Sequence, residues 1–444
     1  MPSRRETFLI AALGALALVI QIAPLARFGP FFFGHDYGFY RRFLIEPVVS
    51  FPNTPVPGLD HTIFIPRIVL DFARFLVVNP DVALIGTYIL FSLIGIFCLW
   101  RFSSSYAAGV AALYCVLLYV ISGVQFESYA HFFFKEAIAL PFFLLALLSF
   151  EKKSYVWGTL FGTMVVLSHQ TSSIILIGIL GLGFFYRAAL ERVVSIRYIF
   201  AGTAILATYL FLHPHVAQKI SSPPVGIFIS KPLYVLWSVP LIVLTIIGFR
   251  RFWPVVIKNP ILASALTVTG TFFLFNLPFA NRVYIFLDLF LVIPASFGVV
   301  VLFERLRRYG HTMQIAGTFV LFALAASPLF YNETTRRASL DEALSRAVVS
   351  LQNISARSII TTPALLPWVQ GWSRTQVYAP GNLKEPHSLT EWAIYWSHSS
   401  PGFEREFLAS FPQPLYVFVS SQDLQYRPQC SSEIQPYLFT TTCP

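Results

Sequence analysis

Long apolar runs alternate with short polar breaks from the start of the chain to about position 330, where the pattern changes. Runs such as Phe8–Pro24, Val82–Trp100, Tyr106–Val124 and Thr312–Phe330 each approach the roughly 20 apolar residues that cross a bilayer as a helix. They are apolar all round, whereas a helix on a soluble core needs only one apolar stripe. The pattern predicts helical spans over 8–26, 81–100, 106–124, 133–150, 155–168, 171–186, 198–213, 233–249, 260–278, 283–303 and 311–330. The pair 155–168 and 171–186 is short, and Ser168-His169-Gln170-Thr171-Ser172-Ser173 between its halves reads as a turn at the membrane surface.

Two stretches depart from this rhythm. Over residues 62–78, Arg67, Asp71 and Arg74 recur at helical spacing among apolar residues, which predicts an amphipathic helix lying in the interface. In the tail, Ser358–Thr361, Gln376–Ala379 and Leu415–Ser420 alternate apolar and polar residues between Pro/Gly turns, the signature of short strands. The expected fold is therefore an all-α polytopic membrane protein with about eleven transmembrane helices in residues 1–335. A small C-terminal α/β module, residues 336–444, follows it.

Composition strengthens the membrane reading. Of 444 residues, 56% are hydrophobic and only 12% charged, against about 25% charged in a soluble domain. The net charge of +10 does not imply a nucleic-acid partner, because no basic stripe with stacking aromatics accompanies it. Its basic residues gather instead in short loops, where they set orientation. With a cytoplasmic N-terminus, the inner loops contain Arg4/Arg5, Arg101, Lys152/Lys153, Arg187/Arg192/Arg197, Arg250/Arg251/Lys258 and Arg305/Arg307/Arg308. The first loop, about 27–80, and the tail module then lie outside the cytoplasm, in a multi-pass protein of the plasma membrane. Cys98 and Cys115 fall inside spans as packing residues. Cys430 and Cys443 lie in the tail, where an oxidising compartment would allow a disulfide between them.

The same orientation gathers His35, Asp36, Arg41, Glu127, His131, Lys135, Glu136, His169 and Arg282 on the outer face. Ionisable groups at membrane depth cost a few kcal/mol each, so they usually face a cavity or a partner. Asp36, soon after the first span, could take a proton from an incoming hydroxyl; the alternatives are a solvated loop acid and one paired with Arg41 or Arg42. Lys135 and Arg282 could hold phosphate, Arg282 otherwise being a headgroup anchor and Lys135 a partner of Glu136. A His placed like His169, in a turn between two short spans, more often caps a helix or bonds a neighbouring carbonyl than acts as a catalyst. Glu127 and His131 share a helical face at i, i+4 and with another acid could ligate a metal. No phosphate-binding glycine loop, zinc-protease helix or serine-nucleophile elbow occurs.

In order and face placement these residues resemble the GT-C superfamily of integral-membrane glycosyltransferases, which includes dolichyl-phosphate-mannose-dependent enzymes. Asp36 stands in a long outer loop after the first span. Lys135–Leu145 looks like the start of the family's fourth span, and Ser168–Ser172 resembles its His-containing turn. Asn281-Arg282 before Val283–Pro294 is similar to its late Arg-bearing span, while Thr361–Ala364, Pro367-Trp368 and Tyr378–Gly381 look like its outer module. No Asp-Asp or Asp-Glu pair follows the first span, so a divalent metal stays open and no other cofactor is implied. The resemblance implies inverting transfer of a sugar from a polyprenyl-phosphate donor to a hydroxyl of a glycan, lipid or protein acceptor. Asp36 would be general base, and Arg282 with Lys135 would hold the departing phosphate. His35, Arg41, Glu127, His131 and His169 would contact substrate, and the 62–78 helix would lie along the membrane lipid. A flippase for lipid-linked glycans is the main rival, yet the spans carry few midplane charges besides Asp288. A scaffold presenting the tail would leave the outer-face cluster unexplained.

Overall fold

The computed structural model describes residues 4–34, 36–45, 64–107, 109–192, 195–213, 229–277, 280–380, 387–397 and 400–441. In chain order its helices are α1 (Arg4–Phe28), α2 (Asp36–Ile45), α3 (Phe64–Leu76), α4 (Pro80–Ser103), α5 (Val110–Val120), α6 (Gly123–Ala130), α7 (Phe134–Glu151) and α8 (Tyr155–Val166). They continue with α9 (Gln170–Glu191), α10 (Ile196–Leu212), α11 (Lys231–Lys258), α12 (Pro260–Phe275), α13 (Ala280–Arg307) and α14 (His311–Thr335). Four helices lie in the tail: α15 (Glu342–Ser350), α16 (Leu366–Trp372), α17 (Leu389–Trp396) and α18 (Pro401–Ala409).

Every apolar run of the sequence forms a helix, but not every such helix is long and apolar enough to cross a bilayer by itself. Among the described residues six helices are long and apolar enough to span a bilayer, or up to seven if α5 and α6, bent by 47°, count as one. The helices α8, α10 and α12 are apolar but short, and α7 carries Lys135, Glu136 and Glu151 within 18 residues. A count of about eleven spans is therefore not established. Exposed Leu236, Val239, Ile246 and Phe249 on α11 give that helix the apolar outer surface that lipid contact requires.

The chain divides into two compact units. The first comprises Met1–Arg27, His61–Arg67 and Thr87–Arg336. Within it α11 packs against α13, α9 against α12, and α8 against both α7 and α10. At the α11–α13 crossing Gly248 faces Gly298, and a Cβ on Gly298 would collide with the Leu244 carbonyl. Small residues let membrane helices approach this closely. Arg187 on α9 is buried and donates from Nη2 to the Phe150 carbonyl at 3.0 Å, the C-terminal end of α7. A cation there answers the negative end of the helix.

The second unit comprises Phe28–Asp60, Ile68–Gly86 and Arg337–Pro444, so the described start of the loop after α1 groups with the tail. Its sheet has the order β2-β1-β3-β5-β4, with β1 (Ser358–Thr361), β2 (Gln376–Tyr378), β3 (Leu415–Phe418), β4 (Ser431–Gln435) and β5 (Leu438–Thr441). β1 pairs in parallel with β2 and β3, and β5 runs antiparallel to β3 and β4. The three predicted strands are present as β1, β2 and β3, and the β4–β5 hairpin is additional. Ile360, Val417 and Phe439 meet Trp392, Tyr395, Phe407 and Phe411 in the core. Cys430, just before β4, is disulfide-bonded; Cys443, its expected partner, lies outside the described residues. Cys98 and Cys115 are free and buried.

A clamp joins α2 to α16 within this unit. Gly38 and Gly371 face each other so closely that a Cβ on Gly38 would run into the Pro367 carbonyl. Beside them Arg41 donates to Asp81 from Nε at 2.8 Å and Nη2 at 3.1 Å, and from Nη1 to the Gly371 carbonyl at 2.5 Å. Its guanidinium lies 4.3 Å from the Trp372 ring centroid, and the Tyr37 hydroxyl donates to Asp81 at 2.6 Å. Phe31 stacks on Trp372 with 5.0 Å between ring centroids. Because overpacking a tight contact costs about 1–3 kcal/mol or more, Gly38→Ala should lower the melting temperature of the full chain by several degrees. The loss should appear in the near-ultraviolet circular dichroism of the buried Trp368–Trp372 pair; an unchanged melt would mean that α2 and α16 can slide apart at no cost.

Candidate active site

The site of the first unit is built around a bent helix and the loop that follows it. The Ser122 side chain caps α6, accepting from the backbone N–H groups of Val124 and Gln125 at 3.2 and 3.4 Å. The same hydroxyl donates to Asp288 at 2.9 Å. Gln125 Nε2 adds bonds to Asp288 at 2.9 Å and to the Ile285 carbonyl at 3.0 Å. Asp288, the isolated acid of the late span, is thus a buried tie between α6 and α13.

Glu127 and His131 do meet across one turn of α6. His131 Nδ1 lies 3.2 Å from Glu127 Oε1, and Arg336 places Nη1 2.7 Å from that same oxygen. Among the described residues no group of three or more His, Cys, Asp or Glu side chains could hold a metal ion. Glu127 is committed to two nitrogen partners, a poor start for a metal ligand set.

Phe133 carries the cluster onward. The His131 ring lies 5.5 Å from the Phe133 ring, and the Arg282 guanidinium sits 3.5 Å from the centre of that ring. Stacking of this kind fixes the plane of the guanidinium. Arg282 acts electrostatically on Glu136 and on His169, and His169 also feels Lys135 and His213. Lys135, Glu136, His169, His213 and Arg282 therefore share one electrostatic neighbourhood. His169 caps α9, its Nδ1 accepting from the Ser172 N–H at 3.4 Å. Desolvation, then the positive charges of Arg282 and Lys135, hold the His169 imidazole well below its usual range. It stays neutral at physiological pH, and with Nδ1 accepting, the remaining proton is assigned to Nε2.

Asp36 belongs to the second unit, where it opens α2 and is partly exposed. Among the described residues no hydrogen bond or ion pair engages its side chain. The alternative partners look elsewhere: Arg41 is spent on Asp81, Gly371 and Trp372, and Arg42 donates to the carbonyls of Gln370 and Ser373. His35 lies outside the described residues. Lys135 does not neutralise Glu136, whose two carboxylate oxygens are buried without a hydrogen-bond partner.

Sequence reasoning missed Arg336 and His213. Both left a trace, for each is polar at the end of an apolar run.

No protein-family profile matches the sequence, and no curated protein matches it either. Solved structures do. The apo oligosaccharyltransferase of Archaeoglobus fulgidus superimposes with a TM-score of 0.63 at 10% identity, over 93% of this chain and 69% of that one. The same archaeal enzyme, AglB, in complex with an inhibitory peptide and a dolichol-phosphate gives 0.62 at 10% identity, with the same coverage. ArnT from Cupriavidus metallidurans bound to undecaprenyl phosphate gives 0.59 at 13% identity over 97% of both chains. Likeness along nearly the whole chain, membrane helices and tail module included, gives one answer: this chain has the fold of the GT-C integral-membrane glycosyltransferases.

Proposed function

We propose that the chain transfers a sugar from a polyprenyl-phosphate donor to an acceptor hydroxyl on the extracytoplasmic side of the membrane, inverting the anomeric carbon. The observation that carries this reading is the cationic neighbourhood of Arg282, Lys135 and neutral His169. Its fold is shared with structures that hold dolichol-phosphate and undecaprenyl phosphate.

In this reading Asp36 removes the proton of the acceptor hydroxyl as its oxygen bonds to the anomeric carbon. The bond from that carbon to the phosphate oxygen breaks, and the lipid phosphate departs with the electron pair. Arg282, fixed by Phe133, and Lys135 offset the charge that grows on it. Neutral His169 can donate a hydrogen bond without adding charge. A single displacement needs no covalent enzyme intermediate. Along α3, exposed Phe64, Ile68, Phe72 and Phe75 form one face at helical spacing, opposite buried Leu70 and Ala73. That face suits the lipid surface from which the donor comes.

The direct test is incubation of the purified protein with polyprenyl-phosphate sugars and candidate acceptors, read by mass spectrometry. Release of free polyprenyl phosphate together with a glycosylated acceptor of inverted configuration is expected. Sugar-lipid left intact by every donor and acceptor pair would overturn the proposal.

A further inference from the structure

Glu136 sits at the wall of a cavity of about 70 Å³ in the first unit, lined also by Gln21, Tyr88, Ser92, Tyr119 and Gln125. The residue is 4% exposed. Both of its carboxylate oxygens are buried without a hydrogen-bond partner, as is Oε1 of Gln21. Bare acceptors in a protein interior are rare, and each costs about 1–3 kcal/mol or more. The other polar groups do not relieve them. Gln125 Nε2 is engaged by Asp288 and the Ile285 carbonyl, Ser92 donates to the Tyr88 carbonyl at 3.0 Å, and the Tyr88 hydroxyl faces the Ser128 carbonyl at 3.5 Å. Beside the Tyr119 and Ser128 hydroxyls, the wall thus holds three oxygens of Glu136 and Gln21 that no donor among the described residues satisfies.

Size narrows the ligand further. An apolar cavity of about 150 Å³ admits benzene, so this one is too small for a sugar ring. It has room for a hydroxyl or hydroxymethyl arm. The remaining walls, Ala17, Ile20 and Leu140 among them, are apolar and suit the carbon that bears the hydroxyl. Glu136 is also within electrostatic reach of Arg282, the residue assigned above to the donor phosphate.

We propose that this cavity is a sugar-reading pocket, in which Glu136 and Gln21 accept hydrogen bonds from a hydroxyl arm of the transferred sugar. The inference rests on the glycosyl-transfer reading and adds to it a residue that selects among donors. A site built to bind a hydroxyl discriminates strongly against the analogue that lacks it.

The probes are polyprenyl phosphate, a polyprenyl-phosphate hexose that the enzyme uses, and the same donor deoxygenated at one position at a time. The wild-type protein should melt at a higher temperature with the hexose lipid than with the bare lipid, and one deoxy donor should lose about tenfold or more in kcat/KM. In Glu136→Gln, which keeps the side chain's shape but leaves one neutral amide oxygen in place of the carboxyl pair, that preference and the extra thermal shift should weaken while the shift with bare lipid persists. Gln21→Leu should reduce both effects in part. A deoxy preference unchanged in Glu136→Gln would overturn the pocket assignment while leaving glycosyl transfer standing. Loss of the bare-lipid shift as well would also overturn it, by showing that Glu136 serves the phosphate site or the fold. A wild-type protein that responds to neither lipid and transfers no sugar would bring down the glycosyl-transfer reading itself.

Discussion

Replacing Asp36 with asparagine should lower sugar transfer by about 100- to 10,000-fold, the range that a positioned general base contributes. The amide has the shape of the carboxylate but cannot take the acceptor's proton. The substitution should leave folding untouched, because among the described residues no hydrogen bond or ion pair engages the Asp36 side chain. The measurement is turnover at saturating donor, with the melting temperature and the bare-lipid thermal shift as controls. A variant that turns over normally would remove Asp36 from the mechanism.

Arg282→Ala should cost about 100- to 1,000-fold in turnover, the loss that follows removal of one fixed stabiliser of developing charge. Its KM for donor should rise more than its KM for acceptor, since the departing phosphate belongs to the donor. Arg282→Lys should restore little, because a lysine cannot present a flat fork stacked on Phe133. Equal losses toward donor and acceptor would count against a phosphate role. The variant should also move His169. Desolvation is the main cause that holds this imidazole down and the charge of Arg282 the next, so its titration should shift upward only in part. The group with the depressed value stays neutral until the pH falls well below the usual histidine range, and removing Arg282 shortens that interval.

The membrane helices were legible because burial in lipid demands unbroken apolar runs, and no other constraint in a protein writes so plain a pattern. β1, β2 and β3 were legible for the same reason on a smaller scale. β4 was not: Ser431–Gln435 is mostly exposed and polar, so it follows no apolar alternation and is held by its pairing with β5. The bend between α5 and α6 also escaped notice, since a buried serine cap and its bond to Asp288 look like any other polar residues in the chain. Pairings across long separations were the least readable. Nothing local to Arg41 says that it meets Asp81 and Gly371. Nothing near Glu136 says that its neighbour Lys135 leaves it unpaired. The site's residue types and their order could be read, and their partners could not.

The clamp between α2 and α16 also has a bearing on how the protein is made. Arg41 reaches a carbonyl 330 residues further along the chain, an interval that a ribosome covers in roughly 15–65 s at about 5–20 residues per second. Until that carbonyl emerges, the helix that starts with Asp36 lacks the surface against which it is held. The membrane helices can insert one after another in the meantime, with the acid's helix still unanchored. A half-made chain thus carries its membrane helices while α2 still lacks the partner against which it packs.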